Sequence, residues 1–278
     1  MTTRRSPQET PASDGEVTGD DAPSIDQLSL RLDADRPGSP RALRPMLPRP
    51  IAEPFDDPDH LFEPWWGGER AFAFVDVDPE TGAGSVRIVD RRGRDRAALL
   101  PELTSTGGLV GRLGGHAALL DGSLLVVDAT GRPDPDGLAA RLAGRSGGTV
   151  VYLAFDLVAL DGRPLLAEPL ERRRERLQRA VEPGGSVLVV PAIPGEGRAL
   201  HAAAAAGGIP GVIGRHRRSP YLPGVRSRLW RLAATGPSEG GEQSGGGVIA
   251  AAGDVLGDAS GTTPILALIQ RLPLDHGD

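Results

Sequence analysis

The chain has 278 residues, 39% of them hydrophobic, which is enough to bury the core of one large domain or two modest ones and excludes a wholly disordered protein. It contains no cysteine and no lysine, its 31 Lys-plus-Arg positions all being arginine, so disulfides, thiolate metal sites and catalysis through a lysyl amine are excluded. The formal charge of -6 is unevenly spread: residues 1–40 carry 4 Arg against 8 acids, residues 41–235 carry 26 against 23, and residues 236–278 carry 1 against 6, a mildly basic body between acidic flanks.

Residues 1–40 are rich in Ser, Thr, Pro, Asp and Glu and are expected to be disordered, because few large apolar side chains are present to offset the entropy of ordering. RPMLPRPIAEPF, from Arg44, reads as an extended Pro-rich entry, and FAFVDVDPETGAGSVRIVD as two strands joined by a Gly-containing turn. PELTSTGGLVGRLG suggests a short helix, and HAALLDGSLLVVDATGR two short strands around Asp121 and Gly122. VVYLAFDLVALDG is a longer strand. ERRRERLQRAV is an arginine-rich helix whose run Arg172 to Arg174 reads as a solvated face. SVLVVPAI is a strand, RALHAAAAAGG a helix ending at Gly207, and GVIGRHRRSPYLPGVRSRLWRLA a strand, a basic loop and a strand. After Ala234, GPSEGGEQSGGG reads as a flexible linker over residues 236–247, and residues 248–278 are too few for a second full domain. No stretch has the length and apolarity of a secretory leader or membrane span, so a cytoplasmic location without membrane contact is expected.

Other chemistries find no support. A P-loop is impossible without lysine, and TGAGSV lacks the context of a dinucleotide fingerprint. His60, His116, His201, His216 and His276 stand at no metal-ligand spacing, and Asp56, Asp57 and Asp59 read as a Pro-flanked, solvated acidic loop.

The order of segments over about residues 44–234 resembles the bacterial type of ATP-dependent DNA ligase. RPMLPRP resembles R-P-M-L-A. FEPWWGGER resembles E-x-K-W-D-G-x-R, with Trp65 at the lysine position and Gly67 at the aspartate position, while Gly68 and Arg70 remain. DRRG resembles S-R-N-G and keeps Arg91 and Gly93; LDGS resembles L-D-G-E, with Ser123 at the glutamate position. YLAFDLVALDGR is close to Y-x-x-F-D-L-L-x-L-D-G-R, and PLERRR to P-L-x-x-R-R. PGVIGRHRRSPYLPGVRSRLWRLA resembles E-G-I-V-x-K-R-x-x-S-P-Y-x-P-G-x-R-S-x-x-W-x-K-x-K, with Pro210 at the glutamate position, Gly214 at the first lysine, and Arg231 and Ala233 read as the closing lysine pair.

The resemblance implies an α+β fold, antiparallel sheets packed with helices as in the ligase adenylation domain over residues 41–235, followed by a truncated OB-fold-like β-hairpin over 248–278. In the family the lysine attacks the α-phosphate of ATP, and carboxylates support magnesium and ribose contacts. With these positions changed, no catalytic residue, no metal site and no ATP or magnesium cofactor is expected. Trp65, Gly68, Arg70, Phe155 and Arg231 are carried over as a vestigial nucleotide site. Phe155 is either the aromatic that stacks on adenine or a core residue; Arg70 and Arg91 are either phosphate contacts or surface ion pairs. Arg91, Arg215, Arg217, Arg218, Arg226 and Arg228 form the candidate nucleic-acid surface, against the alternative of a solvated loop. The implied partners are DNA or a DNA-repair protein. Two functions follow: a non-catalytic ligase-family binding protein, or a retained ATP-dependent ligase or nucleotide-binding activity.

Overall fold

The computed structural model describes Met1 and residues 43–78, 80–128 and 132–236. The expected N-terminal tail, linker and hairpin lie outside the described residues, apart from Met1 and Gly236.

Among the described residues, eleven strands form two sheets. In chain order they are β1 (Leu47–Ile51), β2 (Asp57–Trp65), β3 (Glu69–Val77), β4 (Gly84–Asp90), β5 (Ala118–Val126), β6 (Val150–Leu160), β7 (Arg163–Pro164), β8 (Val187–Val189), β9 (Ile193–Gly195), β10 (Gly211–His216) and β11 (Arg226–Ala234). One sheet has the order β1-β11-β10-β2-β9; the other has β4-β3-β5-β6-β7, with β8 paired to β6. Neighbours run antiparallel except β1 with β11 and β6 with β8. The helices are α1 (Pro101–Thr104), α2 (Leu109–Arg112), α3 (Pro135–Leu142), α4 (Leu170–Ala180) and α5 (Gly197–Ala206). Among the described residues, no helix is long and apolar enough to cross a membrane.

The expected hairpin is β3–β4, paired from Ala71↔Asp90 to Val77↔Gly84. The helix expected over residues 101–114 is broken into α1 and α2. Gly108 lies between them, where a Cβ would fall 2.3 Å from the Leu103 carbonyl oxygen.

The two strands expected around Asp121 and Gly122 are one strand, β5. Neither residue turns the chain: Asp121 is fully buried against an arginine, and Gly122 makes room for the Tyr152 ring. A Cβ at Gly122 would meet Tyr152 Cζ at 2.5 Å and the Leu153 carbonyl oxygen at 2.7 Å. The ring cannot retreat, because its hydroxyl lies 3.1 Å from both the Ala71 and Leu120 carbonyl oxygens. Gly122→Ala is therefore expected to cost about 1–3 kcal/mol by overpacking, read as a lowered urea midpoint.

Helix α3 is absent from the sequence reading, although Asp134 accepts a hydrogen bond from the Gly137 amide at 2.8 Å and Pro135 takes the first helical position, both readable start signals. On α4 the buried residues are Leu170, Arg173, Arg174, Leu177 and Ala180, a helical stripe with two arginines inside it. The solvated face expected for Arg172 to Arg174 holds for Arg172 alone, which pairs with Glu175 at 2.9 Å.

One apolar cluster joins the β3–β5–β6 sheet to Leu100, Leu103, Leu109, Leu138 and Leu177 of the helical side. A second gathers Phe62, Trp66, Phe155 and Val212 with Leu200 and Ala204 of α5. A third, made by Met46, Phe72, Leu119, Val158, Tyr221 and Trp230, ties the two sheets together. The site lies where these sheets meet.

Candidate functional site

Four arginines and three carboxylates converge at the junction of the sheets. Glu63 on β2, Asp121 on β5 and Asp156 on β6 are buried, as are Arg173, Arg174 and Arg215; Arg70 on β3 is largely buried. An isolated charge here would be too costly to keep, and each is matched. Arg70 donates to Asp121 through Nε at 2.6 Å and Nη2 at 2.5 Å, and to the Met46 carbonyl at 3.1 Å. Tyr221 donates its hydroxyl to Asp121 at 2.6 Å. Arg173 forks onto Asp156 with two 2.8 Å bonds and donates to the Ser219 carbonyl at 3.0 Å. Glu63 is shared: Arg174 takes one oxygen and Arg215 the other, while Arg174 also reaches the Phe155 carbonyl at 2.8 Å.

The aromatic rings complete the arrangement. The Cζ of Arg215 lies 4.3 Å from the Phe155 ring centroid and 4.6 Å from that of Trp230; the Cζ of Arg70 lies 4.5 Å and 5.8 Å from the same two rings. Phe155 is 6% exposed. Its ring serves the core and two guanidiniums together, combining the packing alternative with a cation–π contact.

The two guanidiniums differ electrostatically. Burial pulls both down. For Arg70 the forked bond to Asp121 and the contact with Tyr221 outweigh it, and its pKa is held above the ordinary value. Arg215 stays below its ordinary value, because burial dominates, Arg70 and Arg174 repel it, and its carboxylate is shared. Its Nε has no hydrogen-bond partner.

The residues expected to form a vestigial nucleotide site are only partly brought together. Arg70 and Phe155 touch. Trp65 is half-buried at the end of β2, opposite Gly211 and on the strand face of Glu63. Gly68, with φ 78°, is packed so closely that a Cβ would lie 2.3 Å from the Leu124 carbonyl oxygen. Arg231 is a correction. Strand alternation turns it away from Trp230, onto the face where it stacks on Phe55 with Cζ 4.8 Å from the centroid. Counted from Trp230, W-x-K-x-K puts Leu232 and Ala234 at the lysine positions, so Arg231 does not stand at one of them.

The expected nucleic-acid set is corrected as well. Arg215 is buried on Glu63 and unavailable to an outside phosphate; counted from Pro210, it stands at the lysine of E-G-I-V-x-K, which corrects the placing of that lysine at Gly214. Arg217 is half-buried and pairs with Glu171 at 3.1 Å. Arg91 makes a long ion pair with Glu69 at 3.7 Å. Arg218, Arg226 and Arg228 are exposed.

None of the three positions assigned to family carboxylates carries one, and two of them, Gly67 and Pro210, lie side by side. Pro210 Cγ is 3.7 Å from where a Cβ on Gly67 would be, and Ser123 lies across from Arg70 in the β3–β5 register. Among the described residues, no group of three His, Asp or Glu side chains is placed to hold a metal. Asp57, expected in a solvated loop, begins β2 and lies 3.0 Å from the buried His60.

His60 faces Asp57, His216 and Arg231. Burial holds its pKa below the ordinary 6.5, against the raising pull of Asp57. The unfolded chain therefore takes up this proton first as pH falls, and the contribution of neutral His60 to stability, complete above pH 6.5, is lost progressively below it. Urea midpoints are expected to fall between pH 7.5 and 5, with a shallower fall in His60→Phe.

Two largely antiparallel sheets meeting around a core of paired charges fit the adenylation-domain fold of ATP-dependent DNA ligases. The ATP dependent DNA ligase domain family matches residues 45–231, and the chain belongs to that family. It is 35% identical over 170 residues to the multifunctional non-homologous end joining DNA repair protein LigD of Mycobacterium tuberculosis, covering 61% of this chain and 21% of that one. It is 36% identical over 158 residues to a probable DNA ligase of Kineococcus radiotolerans, covering 56% and 31%. A solved structure of mycobacterial DNA ligase D complexed with ATP and MES aligns with a TM-score of 0.56 at 32% identity, over 69% of this chain and 60% of that one. The chain thus spans about a fifth to a third of the length of these curated relatives.

Proposed function

We propose that this chain is a DNA-repair protein of the ligase family that forms no covalent adenylate and acts by binding duplex nucleic acid, its ligase-like unit being residues 41–235. The observation that carries the reading is the pair of guanidiniums from Arg70 and Arg215 lying on Phe155, the aromatic that the family resemblance assigns to adenine. A base can stack there only if Arg215 leaves Glu63, which would break a buried ion pair.

Three further features support it. Trp65, at the position of the attacking lysine, offers an indole with no amine. Gly67, Ser123 and Pro210 supply no hard oxygen anion for magnesium. The likeness to LigD, a non-homologous end joining DNA repair protein, supports a role in repair.

The test is paired. Purified protein is incubated with a nicked duplex, ATP and magnesium, and its affinity for the same duplex is measured without nucleotide. Binding without sealing is expected. Sealing that survives removal of contaminating ligase would contradict the reading, and so would failure to bind.

A further inference from the structure

Two sets of surface arginines contrast. Those on α4 and beside it are neutralised within the chain: Arg172 by Glu175 at 2.9 Å, Arg176 by Glu168 at 2.9 Å, and Arg217 by Glu171 at 3.1 Å. Along the outer edge of the β1–β11 pair, Arg44, Arg49, Arg226 and Arg228 are all exposed, and none has a carboxylate within ion-pair distance among the described residues. Backbone contacts make the row continuous. The Gly224 amide donates to the Arg44 carbonyl at 2.9 Å, Leu47 is paired with Arg226, and Arg226 donates to the Pro48 carbonyl at 2.9 Å. Arg49 is paired with Arg231, whose Nε donates to the Arg228 carbonyl at 3.3 Å. In the middle of the row Val225 is 45% exposed, an apolar side chain left in water among guanidiniums.

We propose that this edge is the surface on which the chain holds the phosphate backbone of duplex DNA. The inference rests on the nucleic-acid reading above and deepens it by naming the contact surface. Guanidiniums with no internal carboxylate are free to replace the counterions of a phosphodiester chain, whereas those on α4 must first give up a partner. The edge strand also argues against a β-strand of another protein as the occupant. Pro48 and Pro50 have no amide hydrogen, so β1 cannot offer the ladder that strand addition needs. Val225 can lie against deoxyribose between phosphate contacts.

The test measures affinity for a nicked 20-base-pair duplex against salt, in the full chain and two variants. One variant carries Arg44→Gln, Arg49→Gln, Arg226→Gln and Arg228→Gln; the control carries Arg172→Gln, Arg176→Gln and Arg179→Gln. Four released counterions predict a log–log salt slope of about -3.6, or roughly 150-fold weaker binding as salt rises from 50 to 200 mM. The edge variant is expected to bind weakly with a nearly flat slope, and the control to match the parent. Circular dichroism and urea unfolding check that both variants are folded. If the parent binds steeply and the folded edge variant binds equally well, this surface is wrong while the nucleic-acid reading stands. If the parent binds no duplex at 50 mM salt, the nucleic-acid reading fails and this inference with it.

Discussion

Replacing Glu63 by Gln is expected to destabilise the chain by about 3–5 kcal/mol, the range for breaking a buried ion pair by removing one partner. Glu63 stands at the upper end of that range because its two oxygens serve two guanidiniums, those of Arg174 and Arg215. Loss of its charge leaves both cations buried, with Arg70 close enough to repel Arg215. Arg174 keeps its bonds to the Phe155 and Val190 carbonyls, while the single amide oxygen of the glutamine replaces two carboxylate oxygens and its NH2 group can accept from neither guanidinium. Equilibrium urea unfolding measures the effect. Glu171→Gln, which removes the surface partner of Arg217, is the comparison and should cost no more than about 1 kcal/mol.

The second large effect lies at Asp156, whose side chain and that of Arg173 are both 0% exposed. Asp156→Leu strands a guanidinium in the interior and is expected to cost about 3–5 kcal/mol. Adding Arg173→Leu removes the stranded charge and should recover a large part of that loss. Recovery is incomplete because the carbonyls of Glu168 and Ser219 then lose the donor that Arg173 supplies. A double mutant as unstable as the single would show that the interior does not disfavour the unpaired cation, which contradicts the physical account of the site.

Much of the fold is legible in the residues. Alternating apolar positions and the Gly-containing turn mark β3 and β4, and the apolar run from Val150 marks β6. Asp121–Gly122 misleads because the pair is a common turn signal, whereas here the aspartate answers Arg70 and the glycine accommodates Tyr152, partners distant in sequence. The inward arginines of α4 follow the spacing of Leu170, Leu177 and Ala180, but their charge hides them until Asp156 and Glu63 appear opposite. Arg215 is harder still. Its neighbours Arg217 and Arg218 belong to the same basic stretch, and only the β2–β10–β11 pairing shows that it faces Trp230 while His216 faces the other way.

The same pairing bears on the proposed function. On that reading a nucleotide would have to bring its base to the face of the Phe155 ring and its phosphates to the surrounding cations. Here Arg215 and Arg70 cover that face, and Glu63 and Asp121 satisfy the cations from within. Four guanidiniums share three carboxylates, Glu63 serving both Arg174 and Arg215.

Incubation of the full chain with α-labelled ATP and magnesium, followed by denaturing electrophoresis, tests this most directly. Guanidiniums over Phe155 and a lysine-free sequence predict no label travelling with the polypeptide. A band of adenylylated protein at its mass would show that the cleft opens to nucleotide and that another side chain performs the attack.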